Sequence, residues 1–433
     1  MGKVFFWEFG GNYNNKKYAS LAILFAYLAR LVKLLHTLAF QQQSNTFQRI
    51  FMDKNESISF MLKLLKLTLE KGGSDLFITA GFPPAIKING LLKPVSDTAP
   101  LSTDDSQSLT RCLMNDKQLK EFEETQECNF AIAPGGLSRF RVNAFIQQGA
   151  HGLVMRTIES EIPSIDKLGL PPVLKDLIMS KNGIIIMVGA TGSGKSTSMA
   201  GMIDHRNANS FGHILTIEDP IEFVHKHKNC VVTQREVGVD TESWGSALHN
   251  SLRQAPDVIV LGEIRDAKTM EFAMEFSQTG HLALATLHAS NANQAIDRIL
   301  GFFHIDTQEK LKQDISLNLR AIISQRLVKT LDGGRIAAIE ILINTPLIVD
   351  LIAKGDISAI KEIMAKSREL GMQTFDQELV KFHLDGKISL EEALRNADST
   401  NEVRLKIKLA GGVTGDADQF SIKNDDTQYF LGE

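Results

Sequence analysis

Residues 183–197 read Gly183-Ile-Ile-Ile-Met-Val-Gly-Ala-Thr-Gly-Ser-Gly-Lys-Ser-Thr197, an apolar run that passes directly into a glycine-rich loop. The run Ile184–Val188 is continuously apolar, which is typical of a parallel strand buried on both faces of a sheet. A helix is predicted to follow over Thr197–Met202, so that strand, loop and helix come in immediate succession. This succession predicts an α/β fold built around the loop.

The loop has the spacing of a phosphate-binding Walker A motif, whose four required positions are occupied by Gly189, Gly194, Lys195 and Ser196. A Gly/Ser turn before a surface helix is the alternative, but the flanking strand and helix are the context that the motif requires. Backbone N–H groups of such a loop bind phosphate oxygens. Lys195 would contact the outer phosphates, and Ser196 would bind Mg²⁺. The predicted nucleotide-binding residues are Gly189, Ala190, Thr191, Gly192, Ser193, Gly194, Lys195, Ser196 and Thr197.

Two later strands end in acidic side chains. Val258–Leu261 is predicted to be a buried strand that delivers Glu263 to the edge where the phosphates would lie, as a Walker B motif does. Glu263 would assist Mg²⁺ and polarise the attacking water, which is the positioning role in phosphoryl transfer. Glu218 directly follows another apolar strand, and Glu222 comes shortly after it. A solvated acidic turn is the alternative for Glu222, whereas Glu218 is predicted to act at the site.

Two histidines, His281 and His288, bracket the apolar run Leu282–Leu287. A histidine at a strand end is more often structural than catalytic, and two histidines without a nearby cysteine or carboxylate spacing make a poor metal site. Their spacing alone therefore indicates structural residues.

Net charge and cysteine spacing argue against a nucleic-acid-binding protein and for a reducing compartment. The formal net charge of the 433 residues is −4, so the chain as a whole lacks the basic field of a nucleic-acid-binding protein, and no nucleic acid is expected as a partner. Cys112, Cys128 and Cys230 are far apart and form neither a CxxC pair nor a metal spacing, which favours a reducing compartment.

The length predicts two or three domains. Before Glu159 the pattern mixes short strands with helices, including one helix predicted over Leu101–Glu124, and three prolines then mark a linker. Beyond the linker, apolar strands alternate with helices, which predicts a mainly parallel sheet covered on both faces. The pattern over Asn293–Gln325 is helical. The predicted divisions are an extension (1–51), an α+β domain (52–160), a linker (161–172), an α/β domain (173–345), carboxy-terminal helices (346–408) and an acidic disordered tail (409–433).

Several segments resemble the motor ATPases of secretion systems and type IV pili. The stretch Leu252–Asp266 resembles the signature of this superfamily, Ile217–Glu222 is similar to its acidic Asp box, and Gly280–His288 is similar to its His box. Residues 371–377 and 388–396 resemble the carboxy-terminal helices of the retraction ATPases. The resemblance runs from about Met52 to about Lys408.

The resemblance implies a PAS-like amino-terminal domain, a RecA-like P-loop ATPase domain that uses ATP and Mg²⁺, and a homohexameric ring. Such a ring acts from the cytoplasm on a pilus platform protein of the inner membrane, and so associates with the membrane peripherally. Arg139–Phe145 and Met155–Ile158 resemble segments that supply arginines to a neighbouring subunit's nucleotide, which implies that role for Arg141 and Arg156. His281 and His288 would then be sensors near the subunit interface, beside their structural interpretation.

The sequence also indicates which branch of the superfamily this chain resembles. Extension and type II secretion members usually carry a tetracysteine zinc module, but no cysteine follows Cys230. The chain therefore resembles the retraction ATPases of the PilT/PilU family. Leu347–Lys354 lacks both arginines of the PilT pattern at this position, which points to the accessory, PilU-type branch that works with PilT. The alternatives are a mainly structural partner of a PilT ring and a related secretion or DNA-transfer ATPase.

The first residues are the least regular part of the sequence. Tyr18–Phe40 is almost wholly apolar but is interrupted by Arg30, Lys33 and His36. Each basic residue would cost about 2.5–3.5 kcal/mol at the bilayer centre, which argues against a spanning helix. An interfacial amphipathic helix, a disordered extension and a stretch added upstream of a natural start at Met52 remain, and the range of the resemblance favours the last.

Overall fold

The computed structural model describes residues 53–158 and 161–411. The expectations for residues 1–51 and for nearly all of the acidic tail lie outside these ranges. Over the described residues, no helix is long and apolar enough to cross a membrane.

The amino-terminal part forms a sheet of six strands in the order β3-β2-β1-β6-β5-β4, and neighbouring strands are antiparallel. Buried and half-buried residues alternate along β5, so that Phe140 and Val142 pack on the helices while Arg139 and Arg141 lie on the other face. The elements are α1 (Lys54–Glu70), β1 (Asp75–Thr79), β2 (Ala85–Ile88), β3 (Leu91–Pro94), α2 (Thr103–Arg111), α3 (Asp116–Thr125), β4 (Glu127–Ile132), β5 (Arg139–Gln147) and β6 (Ala150–Ile158).

The single helix predicted over 101–124 is wrong, because two helices, α2 and α3, occupy this stretch. Each begins with its own capping box, formed by Ser102 with Asp105 and by Asn115 with Gln118. The second box satisfies two free N–H groups at a new helix start, so a separate helix begins at Asp116.

The second sheet has seven strands in the order β13-β12-β7-β11-β10-β8-β9. Every neighbouring pair is parallel except β12 with β13, so the mainly parallel sheet that the alternation predicts is present. The strands are β7 (Gly183–Val188), β8 (Gly212–Glu218), β9 (Cys230–Glu236), β10 (Val258–Leu261), β11 (Leu282–Leu287), β12 (Leu319–Lys329) and β13 (Arg335–Ile343).

Helices cover both faces of this sheet. Alternate residues of β7 enter two different apolar clusters, with Ile184 and Ile186 in one and Ile185 and Met187 in the other. The helices are α4 (Val173–Ile178), α5 (Lys195–Asn209), α6 (Trp244–Ser251), α7 (Ala267–Gln278), α8 (Ala292–Gly301), α9 (Gln308–Asn318), α10 (Pro346–Lys354), α11 (Ile360–Lys366), α12 (Phe375–Leu384), α13 (Leu390–Arg395) and α14 (Thr400–Leu409).

Two parts of the second sheet differ from the sequence prediction. The helical pattern predicted to continue to Gln325 ends at Asn318, and β12 begins at Leu319. This strand lies between β7 and β13 and is mostly buried, so its apolar residues do not alternate and cannot be told from a buried helix by spacing. The edge strand β9 was not predicted, because polar residues fill its second half.

Candidate active site

A cleft of about 710 Å³ opens at one edge of the second sheet. Because β7, β11, β10 and β8 are parallel, their carboxyl ends meet at this edge. The sequence-predicted residues that line the cleft are Thr191, Gly192, Gly194, Lys195, Ser196, Thr197, Glu218, Glu222, Glu263 and His288. The structure therefore brings together the loop, both acidic segments and one of the two histidines.

The glycine-rich loop is shaped by close packing against β12. A Cβ atom at Gly189 would lie 2.5 Å from Ser193 Oγ, and one at Gly194 would lie 2.6 Å from Gln325 Nε2. Gly194 also has a φ of +86°, in the left-handed region that glycine favours. The amide of Gln325 donates to the carbonyl of Ser193 at 2.8 Å and holds the loop against the strand.

Lys195, the first residue of α5, lies folded into the loop. Its ammonium group donates to the carbonyls of Gly189 at 2.7 Å and Ala190 at 2.9 Å. Burial lowers the pKa of Lys195, and the negative charge of Glu263 acts in the opposite direction. The ammonium is thus held against the loop, while the neighbouring Ser196 is exposed to the cleft.

Glu263 follows β10 and is flanked by two basic groups. Arg265 Nε donates to Glu263 Oε2 at 2.9 Å, and His288 Nε2 lies 3.3 Å from Glu263 Oε1. The same arginine is 3.4 Å from Asp219 Oδ2, so it connects the two acidic segments of the cleft. The Glu263 side chain remains 21% exposed and can be reached from the cleft.

Glu218 is the last residue of β8, and two side chains donate hydrogen bonds to its carboxylate. Thr216 Oγ1 donates to its Oε1 at 2.6 Å, and Gln234 Nε2 donates to the same oxygen at 3.0 Å. Burial raises the pKa of Glu218, although these hydrogen bonds act to lower it. A carboxylate with a raised pKa is better suited to accept a proton from water than an ordinary glutamate. Glu222 also lines the cleft but is exposed.

The two histidines lie at opposite ends of β11. His288 follows the strand and contacts Glu263, whereas His281 precedes it and lies near Thr279 Oγ1, at 3.0 Å, beyond the end of α7. They are separated by roughly 20 Å along the strand. Within one chain, His281 is therefore not part of the cleft. Its role as a sensor would require contact with a neighbouring subunit and stays a prediction.

Arg141 and Arg156 are neighbours on the amino-terminal sheet, in register on β5 and β6. Arg156 is exposed and donates to Asp75 Oδ1 at 2.8 Å. Neither arginine lines the cleft of its own chain. Their predicted contact with nucleotide requires a second subunit and stays a prediction.

Comparisons with known proteins identify the family of the chain. The family described as type II/IV secretion system protein matches residues 120–337. The type IV pilus ATPase PilU of Pseudomonas aeruginosa is 55% identical over 83% of this chain and 94% of its own length. The retraction ATPase PilT of the same organism is 41% identical over 77% of this chain and 97% of its own length.

The chain belongs to the type IV pilus retraction ATPase family. Among solved structures, the pilus retraction motor PilT with bound ADP covers 79% of this chain and 98% of its own, at 41% identity and a TM-score of 0.74. The predicted fold class, a RecA-like ATPase domain with a PAS-like amino-terminal domain and carboxy-terminal helices, is confirmed, and so is the prediction of an ATPase.

Several residues that complete the site of this pilus ATPase were not predicted from sequence. Gln234 lies on the unpredicted strand β9, and Gln325 lies in the stretch that was assigned to a helix. Arg265 follows Glu263 by two residues in the quoted signature, and this spacing could have identified it. Thr157, at the end of β6, also lines the cleft, so the amino-terminal sheet contributes to its wall.

The cleft of the pilus ATPase fits a nucleotide with a divalent cation. The glycines leave the space that a Cβ would fill, and backbone N–H groups at the start of α5 suit phosphate oxygens. Within the described ranges, no group of three or more His, Cys, Asp or Glu side chains could hold a metal by itself. This donor set suits Mg²⁺, which is usually bound by one or two protein groups together with water and phosphate.

Proposed function

We propose that this chain hydrolyses Mg-ATP and promotes type IV pilus retraction as a PilU-type accessory motor that works with a PilT-type ATPase. The observation that carries the proposal is the meeting of the glycine-rich loop, Glu218 and Glu263 in one cleft. The similarity to PilU over most of both chains supports the retraction role. The helix α10, which lacks the two arginines predicted for a PilT-type chain, supports the accessory role.

In the proposed mechanism, Lys195 exchanges its two carbonyl contacts for phosphate oxygens. Ser196 and Glu263 would hold Mg²⁺, Glu263 through water, and the cation would neutralise charge on the phosphates. Glu218 accepts the proton of the attacking water, since burial raises its pKa. Arg265 and His288 keep the Glu263 carboxylate oriented.

The proposed assembly is a homohexamer. It would lie at the cytoplasmic face of the inner membrane and act on the pilus platform protein. Arg141 and Arg156 would then approach the nucleotide of the next subunit, because both lie on the exposed face of the amino-terminal sheet, away from its helix-packed core. His281 would lie near the same interface. A guanidinium supplied from a neighbouring subunit stabilises charge in phosphoryl transfer.

The substitution Glu218→Gln tests the proposed reaction. It keeps the size of the side chain but removes the proton acceptor, so we expect kcat for ATP to fall by about 100-fold or more while ATP affinity is kept. Steady-state ATPase rates and nucleotide titration measure the two effects. The matched control is Glu271→Gln on the exposed surface of α7, which should hydrolyse ATP normally. Normal turnover in Glu218→Gln would rule out the proposed base.

The same variant separates a motor from a structural partner. In cells that also contain a PilT-type ATPase, Glu218→Gln should reduce retraction force if turnover by this chain contributes to the work. Undiminished force with the variant would instead identify the chain as a structural partner of the other ring.

A further inference from the structure

The edge strand β9 lies beside the acidic segment of the cleft. It pairs in parallel with β8, with Glu236 in register with Glu218 and Gln234 in register with Thr216. Gln234 and Glu236 are two residues apart on one strand, so their side chains share one face of the sheet. Both contact the chain that follows Glu218.

Gln234 is bonded through both ends of its amide. Its Nε2 donates to Glu218 Oε1 at 3.0 Å and to the carbonyl of Phe223 at 2.9 Å. Its Oε1 accepts from the backbone N–H of His225 at 2.7 Å. The amide therefore fixes the Glu218 carboxylate relative to the backbone of residues 223–225.

Glu236 holds the same segment at a second point and also reaches the amino-terminal sheet. Its Oε2 lies 3.4 Å from the backbone N–H of Ile221 and 3.4 Å from the guanidinium of Arg139, at the start of β5. Arg139 also lies 3.9 Å from Asp240 Oδ2. Glu236 is only 4% exposed, and its pKa is raised by burial while Arg139 acts to lower it.

We propose that Arg139 is a positioning residue whose contact with Glu236 couples the placement of the amino-terminal sheet to the geometry of Glu218. A buried carboxylate is stable in its charged form only when it is paired. If the sheet moves and Arg139 withdraws, Glu236 loses this cation, and its hold on Ile221 weakens. The segment 219–225 then shifts, and Gln234 transmits the shift to Glu218.

This inference rests on the proposed function, because it assigns Arg139 a part in positioning the catalytic base. It differs from the role predicted for Arg141 and Arg156, which is directed at a neighbouring subunit. Arg139 acts within its own chain, where it couples the relative placement of the two sheets to the geometry of the cleft.

The kinetic test compares Arg139→Ala with Arg111→Ala in the full-length chain. Arg111 is paired with Glu123 inside the amino-terminal domain, so it is a matched control. We expect Arg139→Ala to lower kcat on the order of tenfold, since small misplacements of a catalytic group are costly. KM for ATP should stay within about twofold, because the phosphate-binding loop is untouched. Arg139→Lys keeps the cation and should restore most of kcat.

A double-substitution cycle and hydrogen exchange complete the test. Glu236→Gln combined with Arg139→Ala should be no slower than the slower single variant, because both changes remove one ion pair. Amides of residues 219–225 should exchange faster in Arg139→Ala than in Arg111→Ala. Equal kcat in these two variants, additive losses in the double variant, or equal exchange would overturn the proposal. If the unaltered chain lacks ATPase activity, the proposed function fails, whereas the exchange comparison still decides whether Arg139 positions the segment.

Discussion

At the scale of single residues, Glu340 on β13 is a carboxyl group that lies outside the cleft and is only 2% exposed. Its Oε1 accepts from the backbone N–H of Ala292 at 2.9 Å and from Ser324 Oγ at 3.2 Å. Burial raises its pKa to about 7, and the negative charge of Asp398 adds to this effect. The side chain is thus a proton-binding group in the core, at the start of α8.

The raised pKa of Glu340 predicts that the stability of the fold depends on pH. Its folded-state pKa of about 7 lies above the ordinary value of 4.5, so the folded state binds the extra proton between these values. The stability that the protonated form contributes is complete below pH 4.5 and is lost as the pH rises through 7. Glu340→Gln mimics the protonated form and should therefore be more stable than the unaltered chain at pH 8, by ~3 kcal/mol.

Chemical unfolding at several pH values between 5 and 8 checks this prediction. The difference in unfolding free energy between Glu340→Gln and the unaltered chain should grow as the pH rises. Glu271→Gln on the surface of α7 is the matched control and should show a constant difference. A Glu340→Gln variant that is less stable at pH 8 than at pH 5, relative to the unaltered chain, would contradict the assignment.

The residues that are proposed to act in catalysis could be predicted from sequence better than the residues that support them. Glu218 and Glu263 lie at or just beyond the ends of apolar strands, and Lys195 follows the glycine-rich loop after β7. The carboxyl ends of parallel strands meet at one edge of the sheet, whatever the sequence of the connecting loops. Gln234 and Gln325 support the site through hydrogen bonds to groups that are distant in sequence. No local pattern encodes such contacts.

At the scale of elements, the carboxy-terminal helices α12–α14 are held on β12 and β13 by one apolar cluster. Phe375, the first residue of α12, is fully buried in it, and the guanidinium of Arg326 lies 4.0 Å from the centre of its ring. Phe375 therefore combines apolar burial with a cation–π contact to the sheet.

Phe375→Ala should detach or loosen these helices. Removing a buried phenylalanine side chain costs about 3–5 kcal/mol, which is large enough to expose α12–α14 to protease. Limited proteolysis and thermal unfolding measure the effect. Leu384→Ala, at the other end of the same helix and 45% exposed, is the control and should change stability by about 1 kcal/mol or less. Similar losses from both substitutions would argue against this cluster as the attachment point.

The strands of the second sheet show where prediction by element succeeds and where it fails. Val258–Leu261 and Leu282–Leu287 were predicted with the bounds that the structure has, because each is a short, continuously apolar run. The strand β12 is longer and has polar residues at Ser324–Arg326, so its pattern resembled a helix. Its strand conformation depends on pairing with both β7 and β13.

At the scale of the whole molecule, the proposed ring makes a prediction that a single chain cannot satisfy. If Arg141 acts on the nucleotide of a neighbouring subunit, Arg141→Ala and Glu218→Gln chains can complement each other. Each homogeneous variant should be nearly inactive. Rings with equal amounts of both should recover activity at about a quarter of their sites, where an intact Glu218 meets an intact Arg141 from the next subunit.

Co-expression of the two variants with different affinity tags, followed by tandem purification and an ATPase assay, tests this expectation. Rings of Arg141→Ala with Arg111→Ala give the upper reference, with about half of their sites active, because Arg111 is paired inside its own domain and these chains keep both Glu218 and Arg141. The absence of any recovery in mixed rings with Glu218→Gln would show that Arg141 acts in its own subunit or in none.

The two carbonyl contacts of Lys195 bear on how readily the proposed ATPase would release its product. The ammonium group donates to two carbonyls of the loop, so in the proposed mechanism phosphate contacts would replace these two contacts. The free energy that Lys195 contributes to phosphate binding would be the difference between its phosphate contacts and its two carbonyl contacts. This difference would limit how tightly the loop retains spent nucleotide. A limited hold on spent nucleotide would favour product release, which is the rate-limiting step of many enzymes.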